Sequence, residues 1–236
     1  MKKALFLLTA ALFVFVMLPA HSIAQHADVY VIHAIPGADL GLDPELPVDI
    51  SVNGACAITG FKFMDVAGPL PFEPGTYNIK ISLANADAPC SNDPVIEADV
   101  KIRASESTTI IAHLTEDAGI TASKLVNDVS PTQNKKSRVT VHHLAAAPIV
   151  DAYLNRADEG KAPIMNKASN FTNGDRASFE AKNGKWTLQL APWNTGTVVF
   201  KNLLNVKINR LYLVYAVGNI STGTFTLIKL KLKLKG

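Results

Sequence analysis

The chain has 236 residues, of which 48% are hydrophobic and 18% charged, with a formal net charge of +3. That length is too great for one small sandwich and suits two domains of roughly 100 residues each behind a leader. The two cysteines, Cys56 and Cys90, form no C-x-x-C pair, and basic residues are not interleaved with stacking aromatics, which excludes a redox motif and a nucleic-acid groove.

The chain opens with Lys2-Lys3, an uncharged apolar run from Ala4 to Ala20, and the small residues of Ser22-Ile23-Ala24. This order predicts a signal peptide over 1–24, cleaved after Ala24. No cysteine follows the run to carry a lipid anchor, and no later stretch is apolar for long enough to span a membrane. An exported protein, periplasmic, secreted or at the cell surface, is therefore expected. In an oxidising compartment Cys56 and Cys90 read as one disulfide.

Alternation of apolar and polar residues dominates the remainder and predicts an all-β protein. Strands are expected at 29–33, 48–52, 77–83, 96–102 and 108–114, then at 139–143, 151–154, 186–190, 197–200, 211–217 and 224–234. Asn53-Gly54, Pro74-Gly75, Asn173-Gly174, Asn183-Gly184 and Thr222-Gly223 mark turns between them. The two halves repeat. "VYVIHAIPGA" at 29–38 matches "VTVHHLAAAP" at 139–148, which lays His33 on His143. "VDISVN" at 48–53 matches "VDAYLN" at 150–155, laying Asp49 on Asp151, and "PGTYNIKI" at 74–81 matches "NGKWTLQL" at 183–190, laying Tyr77 on Trp186. "TTIIAHL" aligns loosely with "LYLVYAV". The expected organisation is a domain over 25–130, a polar linker over 131–138 and a second domain over 139–236.

The runs V-x-V-x-H-A-x-P, V-D-I-x-V-N-G and P-G-T-Y before an alternating strand resemble a secreted bacterial and archaeal repeat family, domain of unknown function 4397. The resemblance is weaker in the second half, which lacks the cysteines and has Ala146 at the position of Pro36. It implies tandem immunoglobulin-like or related β-sandwiches at or outside the cell envelope. It implies no reaction.

The net charge hides a split. Residues 25–134 carry five Lys/Arg against fifteen Asp/Glu, and residues 135–236 carry sixteen against five. An acidic first half joined to a basic second half bears on association and partners. The C-terminal "IKLKLKLKG" fits a strand, because on a helix its Leu and Lys would scatter around the whole circumference. Leu230, Leu232 and Leu234 are then expected to close the second core, with Lys229, Lys231, Lys233 and Lys235 facing solvent as a basic row for an acidic partner.

Site candidates are few. His33 and His143 share a strand face with core valines and are expected to bond loop carbonyls, the alternative being a metal site with His113 and Asp49. Asp39, Asp43, Glu45 and Asp49 supply hard oxygens suited to calcium, but at no EF-hand spacing. Trp193 in "APWNTG" is the one loop aromatic able to stack on a sugar or anchor a partner. No nucleophile elbow, zinc-protease, phosphate-loop or kinase signature occurs, so no catalytic residue and no cofactor are expected. Two partners fit: the protein itself, domain to domain or head to tail, or an acidic envelope or extracellular glycan. A hydrolase is the remaining alternative, since glycosidase carboxylates need no local motif.

Overall fold

The computed structural model describes residues 25–157 and 167–235; the signal peptide expected over 1–24 lies outside the described residues. The first half folds into eight strands: β1 (Ala27–His33), β2 (Val48–Val52), β3 (Ala55–Phe61), β4 (Val66–Phe72), β5 (Gly75–Leu83), β6 (Pro94–Ile102), β7 (Ser107–Leu114) and β8 (Ile120–Val126). The second folds into eight more: β9 (Ser137–His143), β10 (Val150–Arg156), β11 (Lys167–Phe171), β12 (Arg176–Ala181), β13 (Gly184–Pro192), β14 (Phe200–Val206), β15 (Arg210–Val217) and β16 (Thr226–Lys233).

The sheet orders are β4-β1-β7-β8 and β3-β2-β5-β6 in the first unit, and β12-β9-β15-β16 and β11-β10-β13-β14 in the second. Adding eight to each strand of the first unit gives the second, so one topology is used twice. The expected all-β, two-sandwich architecture holds. The register supplies one correction to the repeat. Val29 lies beside Thr108 and Val139 beside Tyr212, so "TTIIAHL" corresponds to the segment starting at Tyr212, one residue later than the loose alignment. Side-chain roles repeat as well: the Tyr77 hydroxyl donates to the Glu73 carbonyl, and the Trp186 indole N–H donates to the Lys182 carbonyl, each four residues back.

Each sandwich has its own core. Val29, Val48, Ile50, Ile81 and Ile110 anchor the first, and Val139, Val141, Leu154, Leu188 and Val214 the second. A third apolar layer lies between the units. Tyr30, Ile32 and Ala34 leave the other face of β1, join Ile111, and pack against Leu144, Leu211, Leu213, Tyr215 and Val217. Strands β1, β7, β9 and β15 are therefore buried on both faces, which explains the near-continuous apolar run of β15 and the apolar residues on both faces of β1. The buried Tyr215 hydroxyl donates to Thr109 Oγ1 at 3.0 Å across this layer, satisfying a group that would be costly to leave unpaired.

That layer also corrects the expected role of the last strand. Ile228, Leu232 and Leu234, with Leu230 at the margin, face the first unit; of the β16 side chains only Leu227 enters the second core. Six strands were not predicted where they stand: β3, β4, β8, β11, β12, and β14, which starts at Phe200 rather than at Thr197. All six are sheet edges.

Candidate functional site

Cys56 and Cys90 are bonded, with Cα atoms 5.7 Å apart, and tie β3 to the loop after β5. Asp49 organises the same corner. Its carboxylate is 1% exposed and accepts backbone N–H bonds from Gly60, Asn85 and Cys90 at 2.9, 3.0 and 2.9 Å. Burial pushes its carboxyl up, but the three N–H donors outweigh that and hold it below the ordinary range.

The other acidic candidates are dispersed. Asp39 accepts from the hydroxyls of Thr222 and Thr224 in the second unit, Asp43 caps the backbone N–H of Glu45, and Glu45 pairs with Lys62 at 2.7 Å. Asp39, Asp43, Glu45 and Asp49 are thus four separate structural acceptors. Among the described residues no three His, Cys, Asp or Glu side chains gather in a way that could hold a metal ion.

The histidines are buried. His33 donates from Nε2 to the Leu46 carbonyl at 2.8 Å and accepts at Nδ1 from the Ile35 N–H at 3.3 Å. His113 Nδ1 meets the Leu114 carbonyl and its Nε2 the Ser123 hydroxyl, both at 2.8 Å. Desolvation lowers the pKa of each, so both are neutral at pH 7. Neither meets a second ligating side chain.

The lysine row is exposed. Lys229, Lys231, Lys233 and Lys235 alternate with the buried or half-buried leucines, so that successive ammonium stems sit about 7 Å apart along one strand face. The Lys229 ammonium reaches Asn202 Oδ1 at 3.3 Å, and that of Lys235 reaches the Ser105 carbonyl at 3.0 Å. Among the described residues no carboxylate lies within 4.0 Å of any of the four. Arg210 sits opposite Lys233 on β15 and extends the positive edge. Between β14 and β16 runs a groove of about 230 Å³, lined by Leu204, Asn205, Tyr212, Lys229 and Lys231. Such a surface offers point charges over an apolar floor and no nucleophile.

Trp193 stands elsewhere, in the β13–β14 loop, with 52% of its surface exposed and its backbone N–H bonded to the Ile149 carbonyl. The structure does not bring it to the lysine row. His142, next to His143 in sequence, takes the opposite face of its strand, and the layer between the units buries it to 1% exposure. Its ring stacks on Tyr215 at 5.2 Å, and desolvation, with the Arg176 charge, depresses its pKa to about 4. His142 occupies the position of Ile32 in the repeat.

The sequence profile described as Domain of unknown function (DUF4397) matches residues 27–153, which take in the first unit, β9 and the first half of β10. A search of curated proteins found no match. Three solved structures show low similarity. The TIE protein of Bacillus anthracis is 13% identical over 81% of this chain, at a TM-score of 0.26. This chain spans only 33% of its length. A family CBM26 module from Eubacterium rectale Amy13K, solved with maltoheptaose, is 12% identical over 86% of this chain and 97% of its own, at 0.29. A candidate cell adhesion protein from Bacteroides ovatus is 11% identical over 90% and 99%, at 0.26.

Proposed function

Since this chain belongs to the family described as Domain of unknown function (DUF4397), a description that names no reaction, we propose that it is an exported, non-catalytic binding and structural protein. Its basic second unit docks an acidic surface, and that surface is the acidic first unit of another copy. The observation that carries this reading is the lysine row, exposed and without a carboxylate neighbour among the described residues. The two units of one chain meet through an apolar layer. Arg138 and Asp128 pair across the two halves at 3.2 Å, but the lysine row has no carboxylate beside it among the described residues and remains for partners. On the acidic side, Glu97 and Asp99 are exposed on β6, a free sheet edge. A head-to-tail contact of this kind propagates unless its rotation closes, so it builds chains or rings.

A second reading is favoured by Trp193, whose half-exposed indole can stack on a sugar ring; since it stands apart from the lysine row, a glycan chain would engage the two at separate points. The partner is then an acidic glycan of the envelope.

Sedimentation velocity at low and high salt separates the two, with Lys229, Lys231, Lys233 and Lys235 all changed to Gln as the control. Self-docking predicts a large species at low salt that dissociates with salt and is absent in the variant, because exposed charges are screened beyond roughly 8–10 Å. A monomer at both salts that elutes late from an acidic-polysaccharide column, and early as the variant, supports the glycan. A monomer that the column does not retain would overturn both.

A further inference from the structure

The repeat is least faithful where each sandwich ends beside its histidine, and that difference leaves an open cavity in the second unit. In the first unit, residues 34–47 join β1 to β2 and fold back over the sandwich end. Leu46 is buried there, and the partly exposed Leu40 and Leu42 line the same end, leaving a void of about 90 Å³ under the loop; a separate apolar cavity of about 280 Å³ lies on the other side of His33, between β1, β2, β3 and β4. The fold-back requires Gly37: a Cβ at that position would lie 1.7 Å from the Asp43 carbonyl oxygen. In the second unit the connection is only residues 144–149, and Ala147 stands at the position of Gly37. No plug is present. The sandwich end instead holds a cavity of about 220 Å³, lined by His143, Val150, Phe171, Leu190, Phe200 and Phe225 among others, nearly all apolar.

The histidine in it differs from its counterpart. His33 has both ring nitrogens satisfied, one by the plug itself through the Leu46 carbonyl. His143 is 2% exposed and faces the Pro148 carbonyl with Nε2 at a long 3.4 Å, while its Nδ1 is buried with no hydrogen-bond partner. The carbonyl beside Nε2 fixes the proton there and leaves Nδ1 as an acceptor. Contact with Phe171, ring centroids 5.7 Å apart, holds the imidazole in place. A water is a poor occupant, because it needs two to four polar partners and the cavity offers one. A carboxylate or phosphate is disfavoured because no cation among the described residues lines the walls. An apolar cavity of about 150 Å³ already admits benzene, so this one takes a ring with a substituent.

We propose that the second unit binds a small phenol-type molecule, its ring packed between Phe171, Leu190 and Phe200 and its hydroxyl donating to Nδ1 of His143. Burial, which lowers the pKa of His143, keeps the imidazole neutral and the acceptor lone pair free at pH 7. The hydroxyl supplies the donor that the first unit finds in its own backbone, and the ring replaces the leucines of the plug. The site is distinct from the lysine row and does not depend on it.

Titration calorimetry of the full chain with p-cresol and with toluene tests this. The expected result is saturable binding of both, with p-cresol tighter by about tenfold, the value of one buried hydrogen bond. In His143→Leu the preference should vanish while toluene still binds, which also shows that the variant is folded. Ala147→Leu, which narrows the cavity, should weaken both. Failure of either probe to saturate the wild type, or a p-cresol preference that survives in His143→Leu, would overturn the proposal.

Discussion

The two units share one strand order yet are stabilised by different means. The first is stapled by Cys56–Cys90, has Asp49 holding three backbone N–H groups, and closes its own end with a leucine-bearing loop. The second has no cysteine. Its equivalent acid, Asp151, takes one backbone N–H from Asn194, the Lys167 ammonium at 3.2 Å and the Tyr153 hydroxyl, with Oδ1 unpaired. Its sandwich end is open. What the pair teaches is a division of labour: once a duplicated sandwich is held at a shared apolar face, one copy can give up closure at its far end.

Removing the staple is expected to have the largest effect. The bridge closes a sequence separation of 34 residues, which corresponds to about 3–4 kcal/mol in the chain-entropy account. Both tryptophans, Trp186 and Trp193, lie in the second unit, so Trp fluorescence follows that unit alone while far-UV circular dichroism follows both. If the shared layer couples the units, reduction, or Cys56→Ser with Cys90→Ser, shifts both denaturation midpoints together. A fluorescence midpoint that stays in place would show two independent units.

The paired acids give the next contrast. Asp49→Ala strands three N–H groups in a buried corner and is expected to cost about 3 kcal/mol, since each loses a charge-assisted acceptor and regains water only in part. Asp151→Ala frees one N–H, leaves the buried Tyr153 hydroxyl without its acceptor and releases a partly exposed lysine, at a cost of about 2 kcal/mol. Urea unfolding of the two variants checks the ratio. Equal losses would mean that the acids play one role, against the hydrogen-bond pattern.

The sequence made the inner strands legible because they are where alternation and apolar runs are enforced. Val48–Val52 is seen at its predicted bounds, and β1, β7, β9 and β15 extend theirs by at most two residues. Edge strands obey weaker rules. β3, "ACAITGF", is exposed at five of its seven positions, and β4, "VAGPLPF", carries Pro69 and Pro71, which a central strand would not tolerate. Neither shows a period to read. The charge split was visible as a count, but a count has no place: that the units meet through Tyr30, Ile32 and Leu213 follows from both faces of β1 being apolar. The sequence pattern marks only the valine face of that strand as a core face. The cavity beside His143 depends on Ala147 in place of Gly37, a difference with no meaning until the Asp43 carbonyl is in position.

Among the differences between the copies in the shared layer, Ile32 in the first against His142 in the second predicts a pH response. The folded-state pKa of His142 is depressed from 6.5 to about 4, so between those values the unfolded chain binds more protons than the folded one. Stability is then full above pH 6.5 and declines as the pH falls toward 4. From pH 7 to pH 5 the loss from this group alone is about 2 kcal/mol. His33, His113 and His143 are lowered in the same direction and add to it. The carboxylates of Asp49 and Asp151, held below their ordinary range, stay ionised through this window and do not offset the loss. Writing the first unit's residue into the second, His142→Ile, should flatten the slope of urea midpoint against pH in this range and leave a smaller remainder from the other three. Arg176, whose charge disfavours the protonated ring, faces the same site, so Arg176→Gln should raise the folded-state pKa: the decline still begins near pH 6.5 but levels off at a higher pH with a smaller total loss. An unchanged slope in His142→Ile would place the pH sensitivity outside the layer that joins the units.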